Sequence, residues 1–159
     1  MASRRWYLLK CDILVISLTS PLLVGIYHDK NLIKTYKSEE KTSNILPAIF
    51  DEILKSYKLN GLYFAKGPGS FMAIKITYIF LRTLSITKDI PIFASDGFSF
   101  NQNSPIKAVG SRFFMKKNGI ISIQNLQDTN LVKSFDLPKI LDDTIFSADI
   151  EPLYVLPAV

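Results

Sequence analysis

The spacing of apolar residues along the first hundred positions constrains this chain most. It switches between strand-like and helix-like periods in a fixed order. Leu8 to Ser17 is mostly apolar, and Ile13 to Ser17 (ILVIS) is a continuous, largely β-branched run that predicts a strand buried on both faces. Leu22 to Tyr27 (LLVGIY) predicts a second strand, and His28 to Asn31 (HDKN) a turn. Leu32 to Lys37 (LIKTYK) predicts the returning strand. Ile45, Leu46, Ile49, Phe50, Ile53, Leu54 and Tyr57 then recur at helical spacing. Thr42 or Ser43 is the expected cap, Pro47 falls in the first turns, and Asn60 and Gly61 are the expected stop.

A short strand, Leu62 to Ala65, leads through the turn Lys66 to Ser70 (KGPGS) into a second helix, Phe71 to Thr87. That helix is apolar at Phe71, Ile74, Tyr78 and Leu81 on one side, and at Ile76, Ile79, Phe80 and Leu84 elsewhere. A helix apolar on more than one side is covered on more than one side, here either wholly by its own core or by its core and another protein. Ile90 to Ser95 is a further strand. Ile106 to Ser111 and Gly119 to Gln124 are expected to pair, with Lys116 to Asn118 as the bend. Residues 126–147 are weakly periodic, and Glu151 to Pro157 forms a tail with apolar anchors. Strands, helix, strand, helix, strands predict an α/β fold whose mixed sheet is antiparallel in the opening meander and parallel at the crossovers.

Composition excludes more than it assigns. A length of 159 residues suits one domain with a small appendage, and 48% hydrophobic residues with a mean hydropathy of +0.19 allow an apolar partner-facing surface. A single cysteine, Cys11, rules out an internal disulfide and reads as a core thiol. One histidine, His28, with no cluster of acids gives no metal-ligand spacing. Arg4 and Arg5 before an apolar run resemble a secretory start, but Lys10 and Asp12 interrupt that run, so the expectation is a cytoplasmic protein without a membrane segment. The net charge of +5 suits contact with RNA only weakly, because the lysines are dispersed; Lys10, Lys66, Arg112, Lys116 and Lys117 are the candidates for a basic surface.

The turn Gly67, Pro68, Gly69, Ser70 allows two readings. Its backbone N–H groups at a helix start could hold an anion. It lacks the Lys-Ser/Thr ending of a phosphate-binding loop, however, and glycines there also permit a tight turn and close backbone packing. The packing role is favoured. Lys75 and Arg82, seven apart, share one helix face and suit a phosphate, a partner carboxylate or solvent.

The helix with LPAIFDEIL (Leu46 to Leu54) and then GLYFAKGPGSFMAIKI (Gly61 to Ile76) resembles the TsaB family, also called YeaZ. The Gly-Pro-Gly-Ser-Phe core of its Gly-x-Gly-Pro-Gly-Ser-Phe-Thr-Gly-Leu-Arg motif is intact. Ala65, Met72, Ala73 and Lys75 stand where that motif has glycine, threonine, glycine and arginine. DIPIFASDGF (Asp89 to Phe98), VGSRF (Val109 to Phe113) and EPLY (Glu151 to Tyr154) resemble further family segments in the same order. Ser17 to Ser20 departs from the family's Asp-Thr-Ser, and the histidine common before the first helix is absent.

The resemblance implies an actin-like, ribonuclease H-like (ASKHA) fold. Residues 1–100 would form the N-terminal domain with the association helices, and 101–159 a reduced second lobe packed on it. It implies a noncatalytic scaffold subunit in threonylcarbamoylation of adenosine 37 of tRNA. The implied partners are a TsaD-like catalytic subunit and a TsaE-like ATPase, with tRNA met only through the complex and a homodimer when the chain is alone. No cofactor is expected on this subunit; ATP and a divalent metal belong to the partner subunits. The expected interface comprises Ile45, Ile49, Phe50, Phe71, Ile74, Lys75, Tyr78, Leu81 and Arg82. The competing expectations are a small ATP-dependent enzyme of the same fold, using Asp12, Asp96 or Asp128 for Mg²⁺, and a self-associating domain with an RNA-binding role.

Overall fold

A computed structural model describes residues 8–155. Arg4, Arg5, Leu156 and Pro157 lie outside the described residues. β1 (Leu9–Ile16), β2 (Leu22–His28) and β3 (Asn31–Ser38) form the antiparallel meander, and Asp29 and Lys30 make its second turn with positive φ at both positions. Helix α1 (Thr42–Ser56) crosses to β4 (Tyr57–Ala65), which lies parallel to β1, and α2 (Phe71–Lys88) crosses to β5 (Ile92–Ser95), parallel to β4. The sheet order β3-β2-β1-β4-β5 is the mixed arrangement of the ribonuclease H-like fold.

The period of two in β1 divides the core. Cys11, Ile13 and Val15 face α1 and α2, meeting Leu46, Phe50, Ile53 and Leu81. Leu14 and Ile16 face the other way, meeting Tyr63, Phe100, Leu141 and Phe146. That second face carries no helix of its own. It is covered by the short 3-10 turn Gly97–Phe100 and by an irregular segment, in which Pro138 accepts a hydrogen bond of 2.7 Å from the Tyr27 hydroxyl.

β6 (Ile106–Lys107), β7 (Arg112–Lys117) and β8 (Ile120–Asn125) make a separate antiparallel sheet in that order. Phe98 from the 3-10 turn packs against Ile106 and Phe114, and Lys116 reaches Asp96, so this sheet is fixed to the first one.

Local details differ from the sequence expectation. α1 starts at Thr42 after Lys41, with no side-chain cap, so Thr42 and Ser43 are helical; Pro47 is its sixth residue, where an interior N–H is lost. Asn60 and Gly61 do not stop the helix. It runs straight into β4 at Tyr57, and Asn60 forms a bulge opposite the Cys11–Asp12 step. Gly61 leaves room for Asp12, whose Oδ1 lies 2.9 Å from where a β-carbon would stand and accepts from Asn60 Nδ2 at 3.1 Å. Lys116 and Lys117 belong to β7, not to a bend. The turn is Asn118–Gly119, and β8 pairs with β7, not with the Ile106 strand.

Candidate partner interface

Helix α2 is bound to the core by one stripe: Ile74, Thr77, Leu81 and Ser85 are buried. The two polar members are satisfied. Thr77 and Ser17 share a hydroxyl hydrogen bond of 2.6 Å, and the Ser85 hydroxyl donates to the Ile90 carbonyl. Met72, Ile76, Ile79, Thr83 and Ile86 stand on the opposite side, at alternating steps of four and three. This is the spacing of a coiled-coil seam. Met72, Ile79 and Ile86 are 61%, 53% and 65% exposed, far more than isoleucine and methionine usually are on a helix with nothing beyond it. Ile76, Ile79, Phe80, Thr83, Leu84 and Thr87 line a shallow groove of about 390 Å³ on the flank of the seam. Phe80 closes its inner wall by an edge-on contact with Phe50 of α1, ring centres 5.2 Å apart.

The side of α2 expected to meet a partner is therefore largely its core side. Ile74 and Leu81 are buried, and Tyr78 is half-buried against Phe64. Ile49 and Phe50 of α1 are buried in the same core, and Ile45 is half-buried against it. Phe71 is half-exposed but stacks on Tyr154, ring centres 4.5 Å apart. Lys75 and Arg82 are exposed, and both fall on one flank of the seam. Helical spacing reveals stripes but not which stripe faces in. Thr77 and Ser85 make the inner stripe more polar than the outer one, so ranking by hydrophobicity inverts them. The residues missed as the outward seam are Met72, Ile76, Ile79, Thr83 and Ile86; Ile76 and Ile79 already stood out on the second apolar side.

The glycine turn is closed by the chain itself. A β-carbon at Gly69 would lie 2.6 Å from the Leu18 carbonyl oxygen and 2.7 Å from its Cβ, and one at Gly67 would lie 2.6 Å from the Leu153 carbonyl oxygen. Ser70 N–H donates to the Leu18 carbonyl at 2.8 Å, Gly97 N–H to Gly67, and Leu153 N–H to Lys66. Gly67 and Gly69 thus serve backbone-to-backbone packing. Pro68 follows a cis peptide bond. Ser70 occupies the N-cap position of α2 without a capping side-chain bond.

Solved structures share this overall arrangement. YeaZ from Pseudomonas aeruginosa superposes with a TM-score of 0.58 at 14% identity, over 80% of this chain and 72% of that one. An uncharacterized protein with similarity to peptidase YeaZ from Pseudomonas aeruginosa gives 0.56 at 13%, over 72% and 63%.

The chain has the YeaZ fold.

No family model matches the sequence, and no curated protein matches it. Within the YeaZ fold, the acidic residues available for metal chemistry have other contacts. Asp96 caps the 3-10 turn through Phe98 N–H and pairs with Lys116, and Asp128 caps a second 3-10 turn through Asn130 N–H. Asp12 sits mid-strand beside Asn60, its carboxyl raised above the usual range chiefly by burial. Among the described residues, no three His, Cys, Asp or Glu side chains converge as metal ligands, and no helix is long and apolar enough to cross a membrane. Burial pushes the Cys11 thiol up to about 11, with Asp12 adding to the shift, so it stays protonated near neutrality. His28 lies at the end of β2, its Nδ1 3.1 Å from the Lys10 carbonyl and its Nε2 3.2 Å from Asp29. Of the dispersed basic residues, Lys66 pairs with Asp149 and Lys116 with Asp96, which leaves Lys10, Arg112 and Lys117 on separate strand ends.

Proposed function

We propose that this chain is a scaffold subunit, pairing through the outward seam of α2 with a TsaD-like transferase that threonylcarbamoylates adenosine 37 of tRNA. The observation that carries the pairing is the row Met72, Ile76, Ile79, Thr83, Ile86, exposed at every position but the half-buried Ile76 and set opposite the helix's own core stripe. A dry apolar centre with charges at its margin is what a stable helix interface needs. Lys75 and Arg82 on one margin suit acidic residues on the partner helix. The identity of the partner rests on the motif resemblance and the YeaZ fold. A TsaE-like ATPase joins the assembled pair, tRNA is met through the complex, and ATP and the divalent metal are held by the partner subunits. The scaffold reading is supported by the commitment of Asp96 and Asp128 to caps.

The same seam gives a homodimer when the partner is absent, but a weaker one. In a two-fold antiparallel pair centred on Ile79, Lys75 of one copy faces Arg82 of the other, and like charges at such positions repel.

Light scattering coupled to size-exclusion chromatography tests this on the chain alone and mixed with the TsaD-like protein of the same organism. A one-to-one complex is expected to replace any homodimer, and Ile79→Asp is expected to abolish it while leaving the melting temperature nearly unchanged. No complex at tens of micromolar overturns the pairing. A complex that tolerates Ile79→Asp moves it off this seam.

A further inference from the structure

A second feature lies away from the α2 seam, in the cleft between the two sheets. Leu18, Ser70 and Phe71 form one wall, and Phe114 and Ile123 of the small sheet the other, with Leu153 to Val155 closing one side. The half-open cleft has a volume of about 580 Å³, within the range of small-molecule sites. Its lining is mostly apolar, but one cation stands on its rim: Arg112 lies on the same side of β7 as Phe114, whereas Lys107 pairs in register with Phe113 on the other side of the small sheet, its ammonium 5.8 Å from that ring's centre. Lys107 and Arg112 flank the tight loop Val109–Ser111, which is held by the Ala108 N–H to Arg112 carbonyl hydrogen bond at 2.9 Å. Among the described residues, Arg112 has no carboxylate within ion-pair distance and no acidic residue lines the cleft. The hydroxyls of Thr19 and Ser70 lie on the facing wall, and that of Ser70 is not used as a helix cap.

We propose that this cleft binds a small amphipathic anion: an aliphatic chain ending in a single carboxylate. The chain lies against Leu18, Phe71, Phe114 and Ile123, where water is poorly held, and the carboxylate meets Arg112 at the rim. The charge balance disfavours a cationic amphiphile, which Arg112 would repel. The volume and the single charged rim distinguish the site from a nucleotide pocket, which needs a polar floor for its phosphates and sugar.

Titration calorimetry on the full chain with sodium octanoate, and in parallel with octanol, tests the proposal. One saturable site for octanoate is expected, with octanol at least tenfold weaker. Arg112→Glu is expected to lose octanoate at least tenfold and to gain octylammonium. Arg112 is exposed, so the variant keeps its circular dichroism spectrum and melting temperature. Val109→Trp, at a rim position 82% exposed, is expected to weaken octanoate by crowding the mouth. Octanol binding as well as octanoate, or a charge-reversed chain binding octanoate unchanged, overturns the proposal. Absence of any saturable site overturns it too, and assigns the cleft to a protein segment, from a partner or from this chain beyond Val155.

Discussion

A methyl group at Gly69 has nowhere to go: Leu18 backbone already occupies the space. Gly69→Ala is expected to destabilise by about 1–3 kcal/mol, as overpacking does. Gly110→Ala, at a positive φ of 64° with nothing within 4 Å, costs only its backbone strain, about 1–2 kcal/mol or less. Urea unfolding of the two variants separates crowding from conformation. The Gly-Pro-Gly signature predicts a turn from sequence alone, but not what fills it. Leu18 and Leu153 are remote from it in sequence, and only the closed fold brings them there. Asp12 gives a prediction of the opposite sign. Burial raises its folded carboxyl above the ordinary 3.8, so the folded state favours the protonated form. Its contribution is most favourable below that value and is lost as pH rises through the folded pKa. Asp12→Asn keeps an acceptor for Asn60. The variant is expected to gain melting temperature over the parent at pH 7 and little at pH 3, and thermal scans at both pH values check it.

Helices are the elements the sequence describes best, and α2 shows where that description ends. Its limits are legible to within a residue, because Ser70 follows a glycine turn and Asp89 takes a left-handed conformation at the end. Its phase is not, because the inner stripe includes Thr77 and Ser85, made acceptable only by Ser17 and the Ile90 carbonyl from other elements. Two substitutions separate the faces. Leu81→Ala, fully buried, is expected to cost about 2–5 kcal/mol, whereas Ile86→Ala is expected to change monomer stability by less than about 0.5 kcal/mol. Denaturant titration of both reads the difference. Tyr78→Asp is a poor probe of pairing, since it places a charge against Phe64 and the core and is expected to unfold the chain. The small sheet was legible only in part. Ile106 to Ser111 and Gly119 to Gln124 were visible as apolar runs, but Arg112–Lys117 carries three basic residues and hides as a strand; its buried residues, Phe113 and Phe114, are adjacent and so lie on opposite faces.

Over the whole molecule, the mixed order of the main sheet follows from the switching periods of the sequence, while the covering of its helix-free face does not. That cover is an irregular segment whose anchors, Leu137, Leu141 and Phe146, are too sparse to reveal a period. The attachment of the small sheet is equally hidden, since it depends on Lys116 meeting Asp96 across two sheets. Lys116→Met is expected to loosen β7 and β8 without unfolding the main sheet, seen as faster amide exchange confined to residues 112–125. The late segment also guards both edges of the main sheet. Leu32 N–H donates to the Lys139 carbonyl beside β3, and Ala94 and Ser147 exchange hydrogen bonds beside β5. Open strand edges invite pairing with other chains. During synthesis, then, the five-stranded sheet can assemble long before its guards exist. Until residues 139–147 clear the ribosome, the nascent chain presents two adhesive borders to its neighbours on the same message.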